Sequence, residues 1–165
     1  MDDTQTVVKV GIADLEIVKS PHIIRTSGLG SCVGAVIYDL SRKVAGLAHV
    51  MLPDSQLAKK SNLNEFKYAN TAIDYLVNEL CANGARKYAL QAKLAGGAQM
   101  FQFESSNDLM RIGPRNVQAI QEKLGQYRIP VAAMDVGGNS GRTIDFDPAT
   151  GNLKIRTVNK GELII

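Results

Sequence analysis

Two residues with complementary chemistry stand close together in this chain. Cys32 lies in Thr26-Ser27-Gly28-Leu29-Gly30-Ser31-Cys32-Val33, and His49 follows in Gly46-Leu47-Ala48-His49-Val50-Met51-Leu52-Pro53. A thiol beside an imidazole is a nucleophile with its base, because an imidazolium and oriented backbone N–H groups both stabilise the thiolate. Gly28 and Gly30 let the backbone turn sharply just ahead of the cysteine, which makes the N–H groups of Gly30, Ser31 and Cys32 candidate oxyanion donors. A third group normally fixes the imidazole tautomer. Thr26 is the candidate, with Ser27 and Ser31 as rival hydroxyls. The competing structural reading is a small buried cysteine opening an apolar strand, and a core histidine bonded to a backbone carbonyl.

The elements that must position these groups are legible in outline. Val33 to Tyr38 and Val44 to Met51 read as strands joined by the short polar link Asp39-Leu40-Ser41-Arg42-Lys43. A hairpin centred at residues 40 and 41 sets Cys32 opposite His49. Further strands are expected at Val7 to Ile12, Leu15 to Val18, His22 to Thr26, Tyr88 to Ala95, Ile129 to Val136, Thr143 to Phe146 and Leu153 to Val158. Ala69, Ile73, Leu76, Val77 and Leu80 recur at helical spacing up to Asn83-Gly84, and Val117, Ile120 and Leu124 define a second helix after Gly113-Pro114. Cys81 lies beside Leu80 without a nearby histidine and reads as core. Gly96-Gly97 suggests either close approach of a substrate backbone or a tight strand exit. Asn116 and Arg142 are candidate binders of partner or substrate carboxylates, against a helix-start or surface reading. The polar stretches 54–62 and 102–108 read as surface loops.

Several strands, two helices and a β meander give an α+β sandwich of packed mixed sheets with helices on one side. The 165 residues, 45% hydrophobic, suit one domain spanning 1–165. A net charge of +3 with no Lys/Arg run beyond Lys59-Lys60 argues against nucleic acid as the main partner. The polar, acidic start Met1-Asp2-Asp3-Thr4-Gln5 is unlike a secretory leader, and no apolar run reaches spanning length, so membrane insertion is not expected and a cytoplasmic location is. Two cysteines and two histidines at wide spacings form neither a disulfide framework nor a zinc motif. The hydrolytic chemistry read here needs no metal and no organic cofactor.

The segments around Cys32 and His49, together with Ala92-Lys93-Leu94-Ala95-Gly96-Gly97-Ala98, Ile112-Gly113-Pro114-Arg115-Asn116 and Asp135-Val136-Gly137-Gly138-Asn139-Ser140-Gly141-Arg142, resemble the CheD family of chemoreceptor glutamine deamidases. The resemblance runs from about residue 7 to residue 158 in one order. It implies hydrolysis of selected glutamine amides in chemoreceptor cytoplasmic helices to glutamate, with hydrolysis of receptor glutamyl methyl esters as a second candidate reaction. It implies Cys32 as nucleophile, His49 as its histidine and Thr26 as the orienting threonine. It also implies a three-layer sandwich shared with a bacterial deamidating toxin, and binding to a CheC-type phosphatase. Ser27, where the family usually has an aliphatic residue, and Ala95, where it often has a bulky one, depart from the pattern without removing a catalytic group.

A single glutamine amide offers too little to select one protein by itself, so remote contacts must position it. The polar loops and the aromatic residues Phe101 and Phe103, with Gly96 and Gly97, are candidates for that surface, which the phosphatase could share. A papain-like protease is disfavoured, because its histidine lies far from its cysteine in sequence. The alternative from another class is a binding module that regulates the phosphatase and carries a vestigial thiol.

Overall fold

The computed structural model describes residues 4–55, 64–99 and 111–165. Phe101, Phe103 and the stretch 102–108 lie outside the described residues, as does most of 54–62. Ten strands are described: β1 (Val7–Val10), β2 (Leu15–Lys19), β3 (Ile23–Leu29), β4 (Val33–Asp39), β5 (Val44–Val50), β6 (Gln91–Gly96), β7 (Val131–Val136), β8 (Arg142–Asp147), β9 (Asn152–Thr157) and β10 (Gly161–Ile164). Two helices, α1 (Ala69–Ala82) and α2 (Ile112–Gln126), complete the framework.

The strands form two mixed five-stranded sheets. Sheet one has the order β1-β3-β8-β9-β10, and sheet two β2-β5-β4-β6-β7. Each contains one parallel pair, β1 with β3 and β6 with β7. Sheet two is the middle layer. On one face Val33, Ala35, Ile37, Ala48 and Val50 pack against Ile73, Leu76 and Leu80 of α1 and Ile120 and Leu124 of α2. On the other, Val36, Tyr38, Ala45 and Leu47 pack against Ile24, Leu29, Ile144, Phe146 and Ile155 of sheet one. This double cover explains why every residue of β4 and β5 is buried and why their sequences are nearly continuous in apolar and small residues. Each fully buried Leu or Ile contributes roughly 1.5–3 kcal/mol, enough in sum to keep the sheets docked around the few polar side chains between them. Gly34 makes that contact close, since a Cβ there would stand 2.6 Å from Ile144 Cδ1.

The hairpin register differs from expectation. Val33 pairs with Val50 and Gly34 with His49, so the partner of His49 is two residues beyond Cys32. The cause is Asp39, which reads as a loop residue but extends β4: its carboxylate, 1% exposed, accepts from Arg86 Nε at 3.1 Å, Arg86 Nη2 at 3.1 Å and the Arg86 amide at 2.9 Å. Asp39 therefore pairs with Val44, and the turn closes over 40–43. A slip of two preserves the facing of every side chain, where a slip of one would invert it. Cys81 is a second difference. It is exposed, because the buried stripe of α1 runs through Ala69, Ala72, Ile73, Leu76, Val77 and Leu80, and one further residue turns about 100° out of it. Among the described residues, no helix is long and apolar enough to cross a membrane.

Candidate active site

The chain passes from sheet one to sheet two through the turn Gly30-Ser31-Cys32, between β3 and β4. Gly28, at φ +73°, takes a conformation that glycine reaches without strain, and the β3–β8 register shifts between Thr26 and Leu29. Such irregularities re-aim side chains. All three carbonyls of the turn are held from outside. Ala98 N–H donates to Gly30 O at 2.8 Å, Gly97 N–H to Cys32 O at 2.8 Å, and Asn116 Nδ2 to Ser31 O at 3.0 Å. The Gly30 N–H donates to Gly28 O at 3.1 Å, which engages it inside the turn. Among the described residues, the Ser31 and Cys32 amides donate to no backbone carbonyl.

Gly96 and Gly97 serve this turn. Both are buried, with φ +112° and +66°; a Cβ on Gly96 would collide with Cys32 O, and one on Gly97 would stand 2.5 Å from Val117 Cγ2. Their lack of side chains admits the nucleophile turn and α2, and both glycines are buried. Arg142 and Asn116 are likewise internal. Arg142 donates through Nε to Asp135 Oδ2 and through Nη1 to Gly96 O, each at 3.2 Å, and is 7% exposed. The sequence reads Asn116 as a helix-start or surface residue, yet it adjoins Val117 and precedes Ile120 by four residues, so it lies on the buried stripe of α2.

Cys32 is partly buried and packs against the cluster between the sheets. His49, fully buried, lies on that same face of β5, which alternates with the helix face occupied by Ala48 and Val50. Thr26 reaches it from sheet one: Thr26 Oγ1 and His49 Nδ1 are 2.7 Å apart, and Thr26 Oγ1 also lies 2.7 Å from Val10 O. A carbonyl only accepts, so the single hydroxyl hydrogen goes to Val10 and the oxygen accepts from Nδ1–H. That sets the tautomer. The neutral ring carries its proton on Nδ1 and a lone pair on Nε2, an atom that is buried with no partner among the described residues. The opposite tautomer would leave a buried N–H without an acceptor, a rarer situation.

No hydrogen bond joins Cys32 to His49 directly. Burial pulls His49 down to about 4, and pushes the Cys32 thiol above its ordinary value despite a backbone N–H that favours the thiolate. Both directions favour the uncharged forms of the two groups over an imidazolium–thiolate pair. Such a site activates sulfur by proton transfer during attack. Among the described residues, no group of three or more His, Cys, Asp or Glu side chains is arranged to hold a metal ion.

Residues 51–157 match the family model described as CheD chemotactic sensory transduction. The chain is 62% identical to the chemoreceptor glutamine deamidase CheD of Halalkalibacterium halodurans, over 94% of this chain and 96% of that protein. It is 57% identical to the protein of the same name in Bacillus subtilis, over the full length of both. It is 48% identical to a probable chemoreceptor glutamine deamidase CheD of Desulfitobacterium hafniense, over 96% of this chain and 98% of the relative. The family model begins beyond Thr26, Cys32 and His49, whereas the full-length match extends across them.

Proposed function

The chain belongs to the CheD family, and from that premise we propose that it converts selected glutamine side chains of chemoreceptor cytoplasmic helices to glutamate, with Cys32 as nucleophile. The observation that carries this reading is the Val10–Thr26–His49 chain, which leaves the lone pair of Nε2 without a partner among the described residues, on the inter-sheet face whose apolar cluster Cys32 packs against.

In this mechanism Nε2 takes the thiol proton as sulfur attacks the glutamine Cδ, and the new C–S bond leaves a tetrahedral oxyanion. The Ser31 and Cys32 amides are its donors. Collapse breaks the C–N bond while Nε2–H protonates the departing ammonia, leaving a thioester. Water then adds with Nε2 again as base, the C–S bond breaks, and the proton returns to sulfur. The products are glutamate and ammonia, and the enzyme is regenerated without an external oxidant or cofactor. Thr26 keeps the ring aimed through both proton transfers. The Cys32–His49 pair, too long for a hydrogen bond in the free enzyme, tightens when substrate binds, as is common for catalytic hydrogen bonds. The same steps with methanol leaving would hydrolyse a glutamyl methyl ester.

Action on receptor cytoplasmic domains sets the working compartment as the cytoplasm. The family resemblance supports a CheC-type phosphatase as partner.

The test uses a purified receptor cytoplasmic fragment, with glutamine conversion followed by peptide mass mapping. Cys32→Ala abolishes conversion and Cys81→Ala, on the exposed side of α1, leaves it intact. Wild-type conversion by Cys32→Ala would sink the assignment. Conversion of no glutamine by the wild type would return the chain to a binding role.

A further inference from the structure

Asn116 is fully buried, and its two amide hydrogens go to carbonyls on two different segments. One is Ser31 O at 3.0 Å, a single peptide from Cys32, and the other is Met51 O at 2.9 Å, two residues past His49. Both partners only accept, so the orientation of the amide is forced: Nδ2 faces them. The position of this link matters. The β4–β5 ladder ends at Val33–Val50, and beyond it Met51 and Leu52 turn their N–H groups away to Lys67 O. No ladder rung therefore joins the segments of residues 31 and 51, where the thiol and the imidazole need a fixed separation. The first turn of α2 is itself set in depth by Gly113, whose Cβ would stand 2.6 Å from Gly97 O. Gly97 and Ala98 hold the other two carbonyls of the nucleophile turn.

We propose that Asn116 is a positioning residue for the hydrolysis, a two-donor clasp that continues the β4–β5 pairing past its last rung and so fixes the Cys32 sulfur relative to the His49 ring. This rests on the assignment of Cys32 and His49 given above. Asn116 touches neither substrate nor the reacting atoms.

The expected effect of Asn116→Ala is a kcat lower by about 100-fold with KM within about twofold of wild type, the signature of misaligned reacting groups. A second readout needs no substrate. In a Cys81→Ala background, iodoacetamide alkylation of Cys32 is measured in Asn116→Ala, His49→Ala and the double variant, and the two effects are non-additive because each acts through the same pair. Asp39→Asn, which disrupts the ion pair between buried Asp39 and partly exposed Arg86 at the far end of β4, is the control for general destabilisation.

Three results overturn the proposal: a kcat within about threefold of wild type, a raised KM at unchanged kcat, or a kcat loss no greater than that of Asp39→Asn at the same loss of Tm. If Asn116→Ala does not fold, Asn116→Leu keeps similar bulk without donors. Wild-type kcat in Asn116→Leu sinks the clasp, and a loss of about 100-fold in the folded variant supports it. Turnover by Cys32→Ala would instead refute the nucleophile assignment, whatever Asn116 does.

Discussion

A hydroxyl group carries a single proton, and in this site the Val10 carbonyl claims it. Thr26 is thereby an acceptor toward His49, a role that serine shares and valine lacks. Thr26→Ser is expected to retain most of the activity, whereas Thr26→Val, similar in shape, should lower kcat by about 100-fold. Equal activity in the two variants would show that tautomer control is dispensable. His49 also governs behaviour in acid. Its folded value of about 4 lies below the ordinary 6.5, so the unfolded chain binds a proton across that interval and the folded chain does not. Stability conferred by the neutral ring is full above 6.5, falls as pH drops from about 6.5 to about 4, and levels off below. The loss is about 3 kcal/mol. Urea unfolding across this range should show the slope in wild type and not in His49→Gln. An identical slope in both would assign it to other groups.

At the scale of elements, the nucleophile turn is shaped by what surrounds it. Gly96→Ala would drive a methyl group into Cys32 O from a left-handed backbone position. The expected outcome is a destabilisation of about 1–3 kcal/mol, together with lost turnover in protein that remains folded. A variant with lowered Tm and unchanged kcat would mean that the turn tolerates displacement. The glycine pair was visible in the sequence, but its purpose was not, because close approach of two backbones leaves the same trace as close approach of a ligand. The hairpin shows a related limit. Hydropathy marks Asp39 as loop, and only the distant Arg86 makes it the last residue of a strand. The shift was harmless to the facing of Cys32 and His49 because it moved the register by two. β10 carries no signal in the sequence for the opposite reason: all four residues of Gly161–Ile164 are exposed, so they show no alternation. The fully covered β4 and β5 were legible as strands from apolar content alone.

Taken as a whole, the molecule presents the partly buried Cys32 thiol at the turn that joins its two sheets, and selectivity must come from the surface around it. A receptor fragment should be deamidated readily and free glutamine hardly at all, since only the former supplies remote binding energy. Efficient turnover of free glutamine would refute this. If a CheC-type phosphatase uses the same surface, added phosphatase should suppress deamidation competitively; undiminished conversion at saturation would separate the two surfaces. The layered plan was legible in the sequence because it follows from periodicity. For the Thr26–His49 pairing across layers the residues offer Thr26 with Ser27 and Ser31 as rivals, and only the resemblance singles Thr26 out, because the contact depends on how two sheets stack. That bond between sheets also fixes when the protein becomes reactive. Neither sheet alone contains an aimed imidazole, so a chain still being made, or one whose layers have parted, carries an ordinary thiol and spares the glutamines of its neighbours. Recovered turnover during refolding is consequently a clock for the closing of the sandwich.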